Sequence, residues 1–120
     1  MSEIREILDG LKDAQGVKGC AIITTDGIMV QSALGPQFQE DVIAGLTSFL
    51  VTTTRRSLQE SDFGAFTRFT MNCTHGKLVL YDLGEASLVL VTDQFARLDD
   101  CMAAAETAAQ KLRDVVRMQS

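Results

Sequence analysis

Between Gln37 and Ser61 apolar residues recur at helical spacing on two sides of one 25-residue segment. At about 100° per residue, Phe38, Val42, Leu46, Phe49, Leu50 and Thr53 share a broad stripe, the pattern expected of a helix lying on a sheet. Ala44, Val51 and Leu58 recur every seven residues on another side. That second stripe is expected to be apolar surface left over once the helix has covered its own sheet, and so to form a seam with another helix.

The flanking segments alternate differently. Ile4, Ile7, Leu8 and Leu11 mark a short helix that Ser2 can cap and Gly16 can end. Cys20–Thr25 and Ile28–Ser32 read as strands joined at Asp26-Gly27, a two-residue hairpin signal. Gly35-Pro36 breaks the chain before the long helix, with Pro36 at or just before its first turn. Three strands follow, Ala65–Met71, Lys77–Asp82 and Ala86–Thr92, with turns at 72–76 and 83–85. The last segment, Ala96–Met118, is helical, with Leu98, Met102, Ala105, Ala109, Leu112 and Val116 in one seam.

Strand order follows from which runs are apolar on both faces. The first, fourth and fifth are, which places them inside the sheet. The second alternates Ile28 and Val30 with Met29 and Gln31, and the third alternates Phe69 and Met71 with Arg68 and Thr70, which marks both as edges. Hairpins join strands one to two, three to four and four to five, so a single sheet closes only with strand one beside strand five. The expected fold is α+β: one domain over residues 1–120, with a five-stranded antiparallel sheet ordered 2-1-5-4-3. The long helix then crosses one face from edge to edge, about 19 Å of sheet, well within the rise of about 37 Å that 25 helical residues supply. The other two helices cover the opposite face.

Composition narrows the function classes. Eleven basic and sixteen acidic residues give a net charge of −5, and Arg55-Arg56 is the only adjacent basic pair, so neither nucleic acid nor an anionic membrane is an expected partner. Cys20, Cys73 and Cys101 contain no C-x-x-C and read as thiols of a reducing compartment. The charged start at Glu3, Arg5 and Glu6 lacks a signal-like core, and a cytoplasmic location is expected. The longest apolar stretch, 78–91, is broken by Asp82, Gly84 and Glu85 and falls short of a membrane span.

A helix, a Gly-Val-x-Gly segment (Gly16 to Gly19) entering a strand, Asp26-Gly27, a long crossover helix, a three-strand meander and a closing helix together resemble the Roadblock/LC7 family. The resemblance covers nearly the whole chain and is most specific from Gly16 to Ile28. It implies a homodimer in which two crossover helices pack together and the Ala65–Met71 edge strands continue the sheet across the axis. On this chain the interface residues would be Ala44, Val51, Leu58, Phe66, Arg68 and Thr70. It also implies a regulator of small Ras-like GTPases, some of which activate hydrolysis by remodelling the GTPase without donating a catalytic residue. Eukaryotic relatives serve as dynein light chains and GTPase-regulating scaffolds. Thr54 and Arg55 would border the composite surface that such a GTPase meets.

No G-x-x-x-x-G-K-[ST] is present, so the chain has no phosphate cradle of its own. Cys73 and His75 share one turn without an orienting third group, which is weak support for a nucleophile. Asp99-Asp100 reads as the acidic start of a helix and not as a metal site. Arg55 and Arg56 fit cations in the last turns of a helix better than an arginine finger. The expectation is a protein that is not an enzyme and needs no cofactor or metal. The alternative is a ligand-sensing or scaffold module of similar architecture without a GTPase partner.

Overall fold

The computed structural model of the chain describes residues 2–119, excepting the side chains of Ser2, Leu98, Asp100, Met118 and Gln119. The expected cap at Ser2, the first seam position Leu98 and the side chain of Asp100 therefore lie outside the described residues.

The apolar runs form an antiparallel sheet of β1 (Val17–Thr24), β2 (Met29–Ser32), β3 (Arg68–Cys73), β4 (Gly76–Asp82) and β5 (Ala86–Thr92). Its order is β2-β1-β5-β4-β3, as the hairpin argument requires. The central pair runs in register from Gly19 opposite Val91 to Thr24 opposite Ala86. Helices α1 (Ser2–Lys12) and α3 (Leu98–Gln119) cover one face, and α2 (Glu40–Glu60) crosses the other. Ile4, Leu8 and Leu11 of α1 and Cys101, Ala105, Ala109 and Leu112 of α3 close over Cys20, Ile22, Val79, Tyr81, Leu88 and Leu90. Each large aliphatic side chain so buried contributes about 1.5–3 kcal/mol relative to exposure.

Three local departures have identifiable causes. α2 is shorter than the 25 residues expected, because Gly35–Phe38 forms a turn of its own: Phe38 N donates to Gly35 O at 3.1 Å, and the extended Gln39 (φ −89°, ψ 116°) precedes the helix. Pro36 thus sits inside that turn and not in the first helical turn. At the other end Phe63 N donates to Leu58 O at 3.0 Å and Asp62 N to Gln59 O at 3.4 Å, with Asp62 at φ 61°. This is a Schellman stop built on aspartate instead of glycine, a residue that tolerates the left-handed region.

The hairpin is also longer than two residues. Gly27 N donates to Thr24 O and Thr24 N to Ile28 O, both at 2.9 Å, and of the turn residues only Gly27 has a positive φ, 93°. A two-residue type I′ turn needs positive φ twice, so Thr24–Gly27 forms a turn closed by a left-handed glycine. A bulge follows, since Ile22 faces Gln31 while Ile23 faces Met29 and Val30 is the extra residue. It turns Met29 toward α2 and leaves Ile28 and Val30 exposed, the reverse of the face expected from their spacing.

The buried groups set the alkaline behaviour. Burial pushes the Cys20 thiol from 9.0 up to about 12, with nearby Lys12 opposing and Asp9 adding slightly. Burial likewise raises the Tyr81 phenol, offset in part by Arg68. In both cases the folded state holds the proton more tightly than the unfolded chain. Their contribution to stability is therefore complete below the unfolded values and is lost as pH rises through the folded ones. The urea midpoint is expected to fall steadily between about pH 9 and pH 12, and Cys20→Ala should flatten that slope. At neutral pH one thiol, the exposed Cys73, should react rapidly with Ellman's reagent while buried Cys20 and Cys101 stay protected.

Candidate protein interface

Helix α2 has two apolar sides, and the structure assigns them opposite to the sequence expectation. Ala44, Thr47 and Val51 point at the sheet, 5%, 1% and 1% exposed, and pack with Leu58 against a cluster that includes Ala21, Ile23, Leu80 and Val89. Val42, Leu46 and Phe49 point away from it and are 56%, 41% and 64% exposed. The stripe expected to be left over is the one that builds the core. The stripe expected to lie on the sheet is split: Val42, Leu46 and Phe49 are bare, while Phe38, Leu50 and Thr53 are half-buried and Leu50 packs against the same cluster. Residue size decides between them: alanine, threonine and valine let the helix axis approach the strands, whereas a Phe49 directed inward would hold it off.

The rotation of α2 about its axis is fixed by a polar clamp on one flank. The Arg55 guanidinium donates to Asp82 Oδ1 at 2.7 Å, to Gly84 O at 2.6 Å and to Thr25 Oγ1 at 3.2 Å. Two turns earlier on the helix, Ser48 Oγ donates to Thr25 O at 2.7 Å. Thr25 in turn donates both N and Oγ1 to Glu85 O, each at 3.2 Å. The clamp thus joins α2, the β1–β2 turn and the β4–β5 turn at one end of the sheet. Arg55, expected to border a partner surface, is instead committed within its own chain. Thr54 beside it is half-buried, and the cation of this region that faces solvent is Arg56.

The β3 residues divide between the two faces as their alternation requires. The strand begins at Arg68 and not at Ala65, so Phe66 lies ahead of it and is buried from the preceding loop, and Phe69 and Met71 of β3 pack with it on the α2 side. Arg68 and Thr70 are exposed on the α3 side, where Arg68 Nη1 pairs with Glu106 Oε1 at 3.1 Å. Among the described residues only β4 is hydrogen-bonded to β3, so the outer edge of the strand carries no neighbour there. Cys73 at the end of β3 and His75 in the turn after it are both exposed, and no hydrogen bond joins them. No group of three or more His, Cys, Asp or Glu among the described residues is disposed to hold a metal ion. No described helix is long and apolar enough to cross a membrane. What this side of the molecule presents is a helix face carrying three large apolar side chains, beside an unpaired strand.

A family model of the Roadblock/LC7 domain matches residues 3–93. The chain belongs to the Roadblock/LC7 family. The uncharacterized protein MJ1340 of Methanocaldococcus jannaschii is 26% identical over 110 residues, covering 92% of this chain and 96% of that one. Among solved structures, Myxococcus xanthus MglB superposes with a TM-score of 0.92 at 17% identity and covers 98% of each chain. The gliding protein MglB from Thermus thermophilus gives a TM-score of 0.86 at 19% identity, over 98% of this chain and 90% of that one. At these identities the likeness is one of fold. It extends past the matched segment into α3, which the family model does not reach.

The clamp yields a stability prediction. The Arg55 and Asp82 side chains are only 28% and 17% exposed, so their pair is more than a solvated surface contact. Arg55→Ala is expected to lower stability by about 1–3 kcal/mol in urea denaturation, since it leaves the partly buried Asp82 carboxylate without its counter-charge and with Gly84 N as a donor at 3.0 Å. Arg55→Lys should recover part of that loss, because an ammonium cannot reproduce the planar fork.

Proposed function

We propose that this Roadblock/LC7 protein is a non-enzymatic homodimeric regulator of a small Ras-like GTPase. The observation that carries the reading is the bare apolar stripe of Val42, Leu46 and Phe49 on a helix whose opposite side already builds the core. Three large side chains at i, i+4 and i+7 form a ready seam for a second amphipathic helix, and a second copy of α2 supplies one of matching chemistry. The unpaired β3 edge beside it offers backbone groups to its own counterpart. Family membership supports the GTPase partner, and so does the close likeness in fold to two MglB proteins. The chain lacks the Gly-rich lysine loop that would make it a nucleotide hydrolase itself.

The dimer seam in this proposal lies on Val42, Leu46 and Phe49 and not on Ala44, Val51 and Leu58. Phe66, buried in the loop just before β3, anchors the edge from within, and Arg68 and Thr70 flank it. Arg55 acts toward the partner indirectly, by holding α2 at the rotation that displays the stripe, while Arg56 stands at its border.

Charge placed on the two sides of α2 separates the roles. Phe49→Glu is expected to change folding stability by no more than about 0.5 kcal/mol, yet to convert a dimer into a monomer in sedimentation velocity. Val51→Glu should instead unfold the chain, as it buries an unpaired carboxylate. A wild-type protein that sediments as a monomer at micromolar concentration contradicts the dimer. For the GTPase, single-turnover GTP hydrolysis by a small Ras-like GTPase of the same genome should respond saturably to the wild-type protein and lose that response with Phe49→Glu. No member of that set co-eluting with the wild-type dimer contradicts the partner.

A further inference from the structure

On the opposite face of the sheet from α2, α3 overhangs the β3–β4 edge and leaves an open cleft of about 390 Å³ lined by Thr67, Arg68, Tyr81, Glu106, Gln110 and Arg113. Register explains two of the six, since Arg68 and Tyr81 are cross-strand partners on that face. Glu106, Gln110 and Arg113 lie at i, i+4 and i+7 along the flank of α3 that looks down on them. The cleft holds two guanidinium groups against one carboxylate, in a chain whose net charge is −5. The neighbouring Asp82 carboxylate is engaged by Arg55.

Within the protein the donors of this cleft are largely uncommitted and face solvent. Arg113 donates only Nε, to Asp82 O at 3.0 Å, so its two terminal amines have no partner among the described residues. The Thr67 hydroxyl and the Gln110 amide likewise make no hydrogen bond there. Tyr81 Oη donates at 2.9 Å to Met102 Sδ, a weak acceptor that a better one would displace. Arg68 is held by Glu106 at 3.1 Å, but both side chains are about half exposed, 42% and 58%, which makes this a readily exchanged surface pair.

From these observations we propose that the cleft binds a phosphate monoester. Arg113, Thr67, Gln110 and Tyr81 donate to its oxygens, and Arg68 leaves Glu106 to complete a two-guanidinium clamp. A dianion with several terminal oxygens meets convergent, forked donors with charge-assisted bonds about twice as strong as those to a neutral acceptor. The size of the cleft lies at the small end of ligand sites, which suits a phosphate with a short organic substituent. Every lining residue comes from one chain, although Arg68 also flanks the β3 edge proposed to pair.

The protein carries its own probe, because Tyr81 is its sole tyrosine and it has no tryptophan. Glycerol 3-phosphate titrated into the full chain, at ionic strength held constant with chloride, should change Tyr81 fluorescence saturably. Arg113→Gln and Arg68→Gln should each weaken binding by about tenfold or more, as expected for loss of a charge-assisted pair. Glu106→Gln, which removes the competing carboxylate and touches no buried group, should tighten it. A headgroup source is distinguished by co-sedimentation with phosphatidic acid vesicles. Binding that glycerol 3-phosphate competes away and Arg113→Gln abolishes supports the same site reading a lipid phosphate. A fluorescence response no larger than that to chloride, or one unaltered in both Arg113→Gln and Glu106→Gln, overturns the proposal.

Discussion

The chain leaves its sheet at one edge, after β2, and re-enters it at the other, at β3. That single constraint governs most of the molecule. The connection has to span four inter-strand spacings, which an α-helix does stiffly and with its backbone hydrogen bonds satisfied internally. Having spent its crossing on one face, the chain has two remaining helices, and both lie on the other. The sheet is therefore thickly covered on one side by α1 and α3 and covered on the other by α2 alone. A lone crossing helix has an inner side that must be apolar and an outer side that nothing in its own chain covers. The apolar outer side of α2 is thus a feature the topology permits and the sequence then exploits.

How far the structure is readable from sequence depends on whether the signal is connectivity or rotation. Connectivity is plain: runs apolar on both faces, such as Cys20–Ile23 and Leu88–Val91, can only be interior, and the short turns leave one way to close the sheet. Rotation is not. Along α2 the stripe containing Val42, Leu46 and Phe49 is bulkier than the one containing Ala44 and Val51, and apolarity alone favours placing the bulkier stripe inward. The structure reverses this because approach distance, and not summed hydrophobicity, decides which side faces a sheet that is already densely packed. Arg55 escapes local pattern for a related reason. Its partners, Thr25, Asp82 and Gly84, lie 30, 27 and 29 residues away, and nothing near it in the chain announces such a convergence. The bulge at Val30 and the aspartate-built stop at Asp62 are equally silent in composition. The cleft at Arg68 and Arg113 joins two segments 45 positions apart (113 minus 68), and only the packing of α3 over β3 reveals it.

The two surfaces lie back to back across the same edge strand. In β3, Phe69 and Met71 support the α2 layer while Arg68 and Thr70 face α3. An apolar partner on one face and an anion on the other would not compete for room. They would share β3 as a common wall, and that strand is held on one side only.

The pairing of β1 with β5 also orders events in time. Ile22 lies opposite Leu88, 66 residues later (88 minus 22), and the strands between them include two of a separate meander. On a ribosome, α1, β1, β2 and α2 emerge with their hydrophobic sides ready and no central strand to receive them. Until β5 arrives the inner stripe of α2 has only the β1–β2 hairpin to rest on, through Ala21, Ile23 and the Ser48–Thr25 hydrogen bond. Long-range closure of this kind is slow and leaves apolar surface open meanwhile. The outward face of α2 is thus fully fixed only by a sheet whose middle strand, Ala86–Thr92 between β1 and β4, comes from the far side of the helix in sequence.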